Sequence, residues 1–118
     1  MKIKISGIGS YIPEKKISNT DFSNHVFLNE DGTAFGYSND VVINKFKGIT
    51  GIEKRRYAED HYSSSDLAFF ASQKAIENAK IDPETIDYII FAHNFGDVKK
   101  GAIQSDMLPS LATRVKHK

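Results

Sequence analysis

Two stretches of the chain carry the apolar patterns of β-strands. In residues 2–8, KIKISGI, apolar Ile3 and Ile5 alternate with polar residues and Ile8 follows, which is typical of a strand with one buried face. Residues 87–93, DYIIFAH, form a continuous apolar run, which is typical of a strand covered on both faces. Strands of the second kind are usually parallel, so we predict a parallel pairing here.

The segments between and after these strands have helical spacing. Ser63 and Asp66 form a capping-box pattern, and apolar residues then recur at helical spacing to about Lys80. Ser38 begins another predicted helix, which Gly48 is placed to end in a left-handed conformation. Four further elements are predicted: a short helix from Asn19 or Thr20 to Val26, a loop at 29–36, a turn at 82–84, and a helix capped by Ser105 with Leu108, Leu111, Ala112 and Val115 on one side.

This order of elements predicts an α/β fold in which a right-handed crossover joins the two strands. A length of 118 residues suits one domain or a piece of one. Because a two-stranded sheet is only marginally stable in water, the apolar strand residues imply further strands that these residues do not supply. We therefore interpret residues 1–118 as part of a larger domain, with the last helical pattern still running at Lys118.

Composition narrows the class of protein. With 40% hydrophobic and 26% charged residues, the chain has a globular composition, and its net charge of +1 provides no general attraction for nucleic acid or a membrane surface. The absence of cysteine excludes disulfides and thiolate zinc sites within these residues. Neither a signal peptide nor an apolar run of membrane-spanning length is found, so we predict a cytoplasmic protein.

Three local patterns favour structural roles over a cofactor, metal or catalytic site. In GIGSYI, residues 7–12, the last position is Ile12 instead of the Gly or Ala of a dinucleotide-binding loop, so a tight strand exit is favoured. Ser63, Ser64 and Ser65 lack the surroundings of a catalytic serine and are explained by helix capping. No metal site is predicted, because the histidines lack ligand spacing: His25, His61, His93 and His117.

Two groups of cations leave alternatives open. Arg55 and Arg56 follow a turn at Gly51, and their planar guanidinium groups could anchor a neighbouring segment by buried ion pairs or bind an anionic ligand. Anchoring is the favoured alternative. The other group could form a basic patch for an acidic partner, although cations also suit the C-terminal turn of a helix and a solvated face is favoured for each lysine. It comprises Lys99, Lys100, Arg114, Lys116 and Lys118.

Several motifs together resemble a known enzyme family. In order and spacing, ISGIGSYIPEKKISN, GITGIEKRRYA, SSSDLAFFASQKAIENAKIDPETIDYIIFAH and LPSLATRV are similar to the N-terminal part of β-ketoacyl-[acyl-carrier-protein] synthase III, a thiolase-fold condensing enzyme. The most specific element is Gly-Ile-x-x-Arg at residues 51–55. The resemblance implies a thiolase-like α/β/α/β/α layered fold of which this chain is the incomplete N-terminal half. The segment between Asn94 and Met107 is longer than usual in the family.

The resemblance also implies a reaction, a decarboxylative Claisen condensation of an acyl thioester with malonyl carrier protein in fatty-acid biosynthesis. The family's catalytic cysteine, histidine and asparagine lie outside these residues, so no catalytic residue is assigned and this segment alone is expected to be inactive. The implied substrates are coenzyme A or phosphopantetheine thioesters, without a cofactor. The implied partners are acyl carrier protein and a second copy of the enzyme in a homodimer.

The substrate-binding residues carried over by the resemblance depart from the family pattern. The family's nucleotide-stacking tryptophan and its arginine align with Lys45 and Ile49, so the nucleotide could be held by Lys45 and Lys47 through charge, or the primer could be an acyl carrier protein. Arg55 and Arg56 are expected at the mouth of the substrate channel. Leu108 aligns with an aromatic residue that closes the partner subunit's acyl pocket; its smaller side chain would admit longer acyl chains, unless it packs in this chain's own core.

Two other functions remain open. A different thiolase-fold synthase, such as hydroxymethylglutaryl-CoA synthase or a resorcinol-forming ketosynthase, would share this N-terminal pattern. A non-catalytic module that only dimerises or binds carrier protein would also fit a cysteine-free segment.

Overall fold

The computed structural model describes residues 3–118, which form two compact units, residues 13–57 and residues 3–12 with 58–118. Helices and strands both occur, which agrees with the mixed α/β class predicted from the sequence. In chain order the elements are β1 (Lys15–Ser18), a 3-10 helix (Asn19–Phe22), α1 (Asn39–Thr50), β2 (Lys54–Tyr57), α2 (Ser64–Ala79), a 3-10 helix (Pro83–Thr85) and α3 (Leu111–His117).

The sheet of residues 13–57 consists of β1 and β2, which pair antiparallel. Lys15 lies opposite Tyr57, and Ser18 lies opposite Lys54. The sequence pattern predicts neither strand, because KKIS and KRRY are rich in charged residues and lack the alternation of a half-buried strand. Hydrogen bonding between distant segments therefore creates this ladder.

Helix α1 begins after Ser38, as predicted, but the predicted end at Gly48 is wrong. The helix continues to Thr50, and Gly51 ends it with a φ of 67° and an N–H that donates to the Lys47 carbonyl oxygen at 2.8 Å. Gly51 is the glycine that takes the left-handed conformation, so it supplies the helix stop that the sequence analysis assigned three residues too early.

The segment before α1 contains less helix than predicted. The expected helix to Val26 is limited to the 3-10 turn Asn19–Phe22. The predicted loop at residues 29–36 is confirmed, and a bridge between Leu28 and Ala34 closes its first five residues, 29–33. Asn29 and Thr33 hold this turn, since the Asn29 N–H donates to the Thr33 carbonyl oxygen at 2.8 Å.

In the second unit, two glycines allow the chain's first described residues to lie directly on α2. A Cβ added to Gly9 would lie 2.3 Å from the Ala75 nitrogen and 2.4 Å from the Ala71 carbonyl oxygen. A Cβ at Gly7 would lie 2.5 Å from the Ala75 carbonyl oxygen. These glycines therefore serve a close backbone contact with a helix. The tight strand exit favoured for this motif is not formed, because residues 3–8 belong to no strand.

The two strands predicted from apolar runs are not formed in the described residues. Residues 3–8 and 87–93 belong to no strand, and Lys2, the first residue of the earlier prediction, lies outside the described part of the chain. Ile5 is 90% exposed and Ile90 is 94% exposed. The prediction of a parallel pair with a crossover is wrong for these residues, because neither run has a neighbouring strand to pair with.

The last helix starts later than predicted. Ser105 does not cap it; Ser110 does, accepting a hydrogen bond from the Thr113 N–H at 3.3 Å. Pro109 explains the shift, because the residue before a proline is driven out of helical conformation. Leu111 and Val115 are buried as the predicted apolar side requires, whereas Leu108 lies outside the helix.

The start of α2 agrees with the capping-box prediction. The Ser63 N–H and hydroxyl donate to Asp66 Oδ2 at 2.7 and 2.6 Å. Lys118 Nζ donates to the other Asp66 oxygen. Burial opposes ionisation of Asp66, but the hydrogen bonds from Lys118 and Ser63 prevail and lower its pKa to about 2. The predicted turn at residues 82–84 is confirmed as the 3-10 helix Pro83–Thr85, which Asp82 caps.

Among residues 3–118, no helix is both long and apolar enough to cross a bilayer.

Replacement of Gly9 tests the close contact with α2. Gly9→Ala places a methyl group against backbone atoms that cannot move aside, so we expect a loss in the free energy of unfolding of about 3 kcal/mol or more, measured by urea denaturation. Gly48→Ala is the control, because Gly48 lies in the α1 interior with open space around it; it should stabilise by about 0.5 to 1 kcal/mol. Equal effects of the two substitutions would contradict the packing described.

The Asp66 cap gives a pH dependence with a defined sign. A carboxyl whose pKa is lowered by folding stabilises the protein above its unfolded pKa and loses that contribution as pH falls through its folded pKa. As pH falls from 3.8 to about 2, the contribution of Asp66 to the free energy of unfolding should therefore decrease by on the order of 1 to 2 kcal/mol. The decrease is no larger because solvent screens the partly exposed group. The free energy of unfolding, measured by urea denaturation at several pH values in this range, should fall less steeply with decreasing pH in Asp66→Asn than in the unaltered protein. An equal pH dependence in the two proteins would refute the assignment.

Candidate functional site

The last turns of α1 carry three of the predicted substrate-binding residues. Lys45 and Ile49 are four residues apart and share one face of the helix, and Ile49 is 73% exposed. Lys47 lies on another face, where its Nζ is 2.6 Å from Glu53 Oε1. Both partners of this ion pair are more than half exposed, so an anionic ligand could compete for Lys47. The hydrogen bond from Lys47 lowers the pKa of Glu53.

Arg55 and Arg56 point to opposite faces of β2, since adjacent side chains alternate along a strand. Arg55 Nη1 donates to Asn19 Oδ1 at 2.8 Å, and its guanidinium carbon lies 5.6 Å from the centre of the Phe22 ring. Arg56 Nη1 donates to the carbonyl oxygens of Pro13 and Glu14 at 3.2 and 3.1 Å. Both arginines therefore anchor neighbouring segments as favoured, but the expected buried ion pairs are replaced by neutral oxygens and a ring.

A cavity of about 230 Å³ within residues 13–57 was not predicted from the sequence. Its walls combine aromatic and aliphatic side chains with one amide and one guanidinium: Asn19, Phe22, Phe27, Ile43, Phe46 and Arg55. The rings of Phe27 and Phe46 have their centres 5.9 Å apart. The cavity offers a mainly apolar surface with an amide and a guanidinium in its wall, a combination that suits a small, largely apolar group. The recurrence of phenylalanine in residues 22–46 is the one sequence signal for it.

Leu108 belongs to the other unit and is 85% exposed, so the alternative that it packs in this chain's own core is wrong. Its carbonyl oxygen accepts a hydrogen bond from Arg114 Nη2 at 2.8 Å. Arg114 Nε also donates to the Pro109 carbonyl oxygen at 2.9 Å. The backbone at this position is therefore fixed while the leucine side chain projects from it.

Asp97 is a buried charge that the sequence analysis does not single out. It is 4% exposed, and its carboxylate accepts hydrogen bonds from the Ser65 N–H at 2.8 Å and the Ser65 hydroxyl at 2.7 Å. Arg114 Nη1 lies 3.0 Å from Asp97 Oδ2. Ser65 is thus held mainly by Asp97, and its hydroxyl also lies 3.1 Å from the Ser63 hydroxyl. The capping-box explanation therefore holds for Ser63, whereas Ser65 joins the helix start to Asp97.

These side chains line an open cleft of about 590 Å³. Its walls combine hydroxyls, one carboxylate and cations: Ser63, Ser65, Asp97, Pro109, Thr113, Arg114, His117 and Lys118. The hydroxyls of Ser63 and Ser65 are held by Asp66 and Asp97, and neither bonds to a histidine. The arrangement can therefore bind a polar group but does not activate a serine nucleophile.

Ion pairs consume much of the possible basic patch near the end of the chain. Lys100 pairs with Asp60, and Lys118 pairs with Asp66. Arg114 pairs with two aspartates. The paired cations therefore hold local structure, a role that differs from the favoured solvated face. Lys99 and Lys116 are exposed, as that interpretation expects.

Comparison with known proteins places these features in a family context. No protein-family model matches the chain. It is 38% identical over 114 residues to the protein of Staphylococcus haemolyticus (strain JCSC1435) named Beta-ketoacyl-[acyl-carrier-protein] synthase III. The aligned residues cover 97% of this chain and 32% of that relative. The protein of the same name from Staphylococcus aureus (strain Newman) is 39% identical over 113 residues, covering 96% of this chain and 32% of that relative.

The chain thus spans about a third of the length of these curated relatives. Over the stretch that it matches, the chain is homologous to β-ketoacyl-[acyl-carrier-protein] synthase III, which confirms the family resemblance carried by its motifs.

Proposed function

We propose that residues 1–118 are the N-terminal segment of a 3-oxoacyl-[acyl-carrier-protein] synthase III-like acyltransferase. The supporting observation is identity of 38% over 97% of the chain to a protein of that name. The complete enzyme would have a thiolase-like α/β/α/β/α fold and act as a cytoplasmic homodimer. The exposed apolar runs at residues 3–8 and 87–93 support this proposal, because such a fold would cover them with strands from outside this chain.

The reaction would join an acyl thioester to malonyl carrier protein with loss of carbon dioxide. A cysteine thiolate takes the acyl group and releases the carrier thiol; decarboxylation of the malonyl group supplies the electron pair that attacks the acyl carbon, and the cysteine leaves. Since residues 1–118 contain no cysteine, the nucleophile would come from a later part of the protein. The segment alone would be inactive.

Substrate entry is the role that we propose for the cations of residues 13–57. Lys45 and Ile49 would face the primer's carrier group, with Lys47 available after release of its exposed ion pair with Glu53. Neither Lys45 nor Ile49 can stack on an adenine ring as an aromatic residue would. Charge would then dominate nucleotide binding, and a carrier-protein primer is the alternative. Arg55 and Arg56 would support the channel mouth through their anchoring contacts.

Assay of the complete protein tests this function. Incubated with acyl-CoA primers from acetyl to decanoyl and with malonyl carrier protein, it should form 3-oxoacyl carrier protein and show a covalent acyl adduct on a cysteine by mass spectrometry. Residues 1–118 expressed alone should form neither. Acetoacetyl-CoA as the accepted substrate would instead support a hydroxymethylglutaryl-type synthase. Carrier-protein binding without any condensation would favour the non-catalytic module and refute our proposal.

The salt dependence of the same assay separates the two primer carriers. If Lys45 and Lys47 hold the nucleotide through charge, KM for acyl-CoA should rise with ionic strength. A KM unaffected by salt, together with faster turnover of acyl carrier protein as primer, would assign the primer site to the carrier protein.

A further inference from the structure

Arg114 makes more contacts than a helix-surface arginine needs. It lies in the last turn of α3, and its side chain is 18% exposed. Its guanidinium reaches two carboxylates, Asp97 Oδ2 at 3.0 Å and Asp106 Oδ1 at 2.7 Å. It also donates to the carbonyl oxygens of Leu108 and Pro109 at 2.8 and 2.9 Å. One side chain thus binds the segment 97–109 at four points.

The far end of this segment is fixed independently. The backbones of Asp97 and Asp106 form a two-way bridge, with N–H to carbonyl distances of 3.0 and 2.7 Å. Asp97 is in turn bonded to Ser65 at the start of α2. Gly96 permits the close approach, because a Cβ there would lie 2.9 Å from the Asp106 carbonyl oxygen. The bridge closes a loop whose base is rigidly attached to α2 and α3.

Leu108 leaves this rigid base with its side chain 85% exposed. An exposed leucine on a mobile loop would sample many positions, but here the carbonyl groups of Leu108 and of the next residue are both held by Arg114. Lysine could not reproduce this, because a single ammonium lacks the planar set of donors needed to reach two carbonyls and two carboxylates together. The position of the exposed side chain therefore depends on one guanidinium.

We propose that Arg114 is a positioning residue that holds Leu108 at a fixed reach, and that this reach sets the length of acyl chain that the complete enzyme accepts. The inference rests on the proposed function together with the family resemblance, by which Leu108 would line the acyl pocket of the partner subunit. Arg114 contacts no reacting group in this scheme. Its effect passes through the Leu108 and Pro109 backbone.

Acyl-chain profiles of the complete protein test the proposal. Release of the clamp in Arg114→Met should let Leu108 retract and raise the ratio of kcat/KM for octanoyl over acetyl primer by about tenfold, the scale of a small change in pocket size. Leu108→Ala should shift the ratio in the same direction and add little in the Arg114→Met background. Lys116→Met, the loss of an exposed cation on the same helix, is the matched control and should leave the ratio unchanged.

A milder variant guards against a general loss of folding. Asp106→Asn weakens one exposed contact of Arg114 while leaving Asp97 and Ser65 in place, and it should shift the ratio less but in the same direction. A purely structural role would lower kcat for all primers equally and leave the ratio constant, which would overturn the proposal. A different result would refute the proposed function, namely that the wild-type protein condenses none of the primers.

Discussion

The ion pair between Asp97 and Arg114 is the central contact of the unit formed by residues 3–12 and 58–118. Asp97 is 4% exposed, so its charge would be costly without partners. Burial alone would raise the pKa of Asp97, but hydrogen bonds from Ser65 and Arg114 outweigh it and hold the pKa below its ordinary value. The carboxylate stays ionised and joins the start of α2 to α3. Arg114 extends the same connection to the loop that presents Leu108.

A second constraint acts farther along α2. Gly7 and Gly9 let the first segment lie directly on helix backbone, so the helix is held at its N-terminal end by Asp97 and along its length by the glycines. Helix α2 is thereby the fixed frame of its unit. The apolar runs at residues 3–8 and 87–93 remain exposed beside this frame, and in the proposed complete enzyme they would be the positions where additional strands pair.

Local patterns predicted what local physics determines. The Ser63–Asp66 capping box and apolar spacing predicted α2, and the confirmed loop at 29–36 follows from its turn-forming residues. The predictions that failed depend on distant partners: β1 and β2 exist because Lys15–Ser18 and Lys54–Tyr57 meet, and the expected strand at 87–93 lacks a neighbour.

The same distinction between local and distant determinants applies to the candidate site. The family resemblance predicted Lys45, Arg55 and Leu108 as site residues. The local sequence could not predict that Leu108 is exposed and that Arg114 binds its carbonyl oxygen. The sequence pattern does not predict that Asp97 is buried and charged, because a single aspartate carries no periodic signal. Its importance depends on Ser65, which lies 32 residues away in sequence.

A double-mutant cycle measures the central ion pair most directly. Urea unfolding of the protein and of the variants Asp97→Asn, Arg114→Met and both together gives the coupling free energy of the two side chains, and the exposed pair Lys100–Asp60 provides a reference cycle. The structure predicts that the Asp97–Arg114 coupling is stabilising and exceeds that of the reference pair. Additive effects, with coupling within about 0.5 kcal/mol of zero, would contradict it.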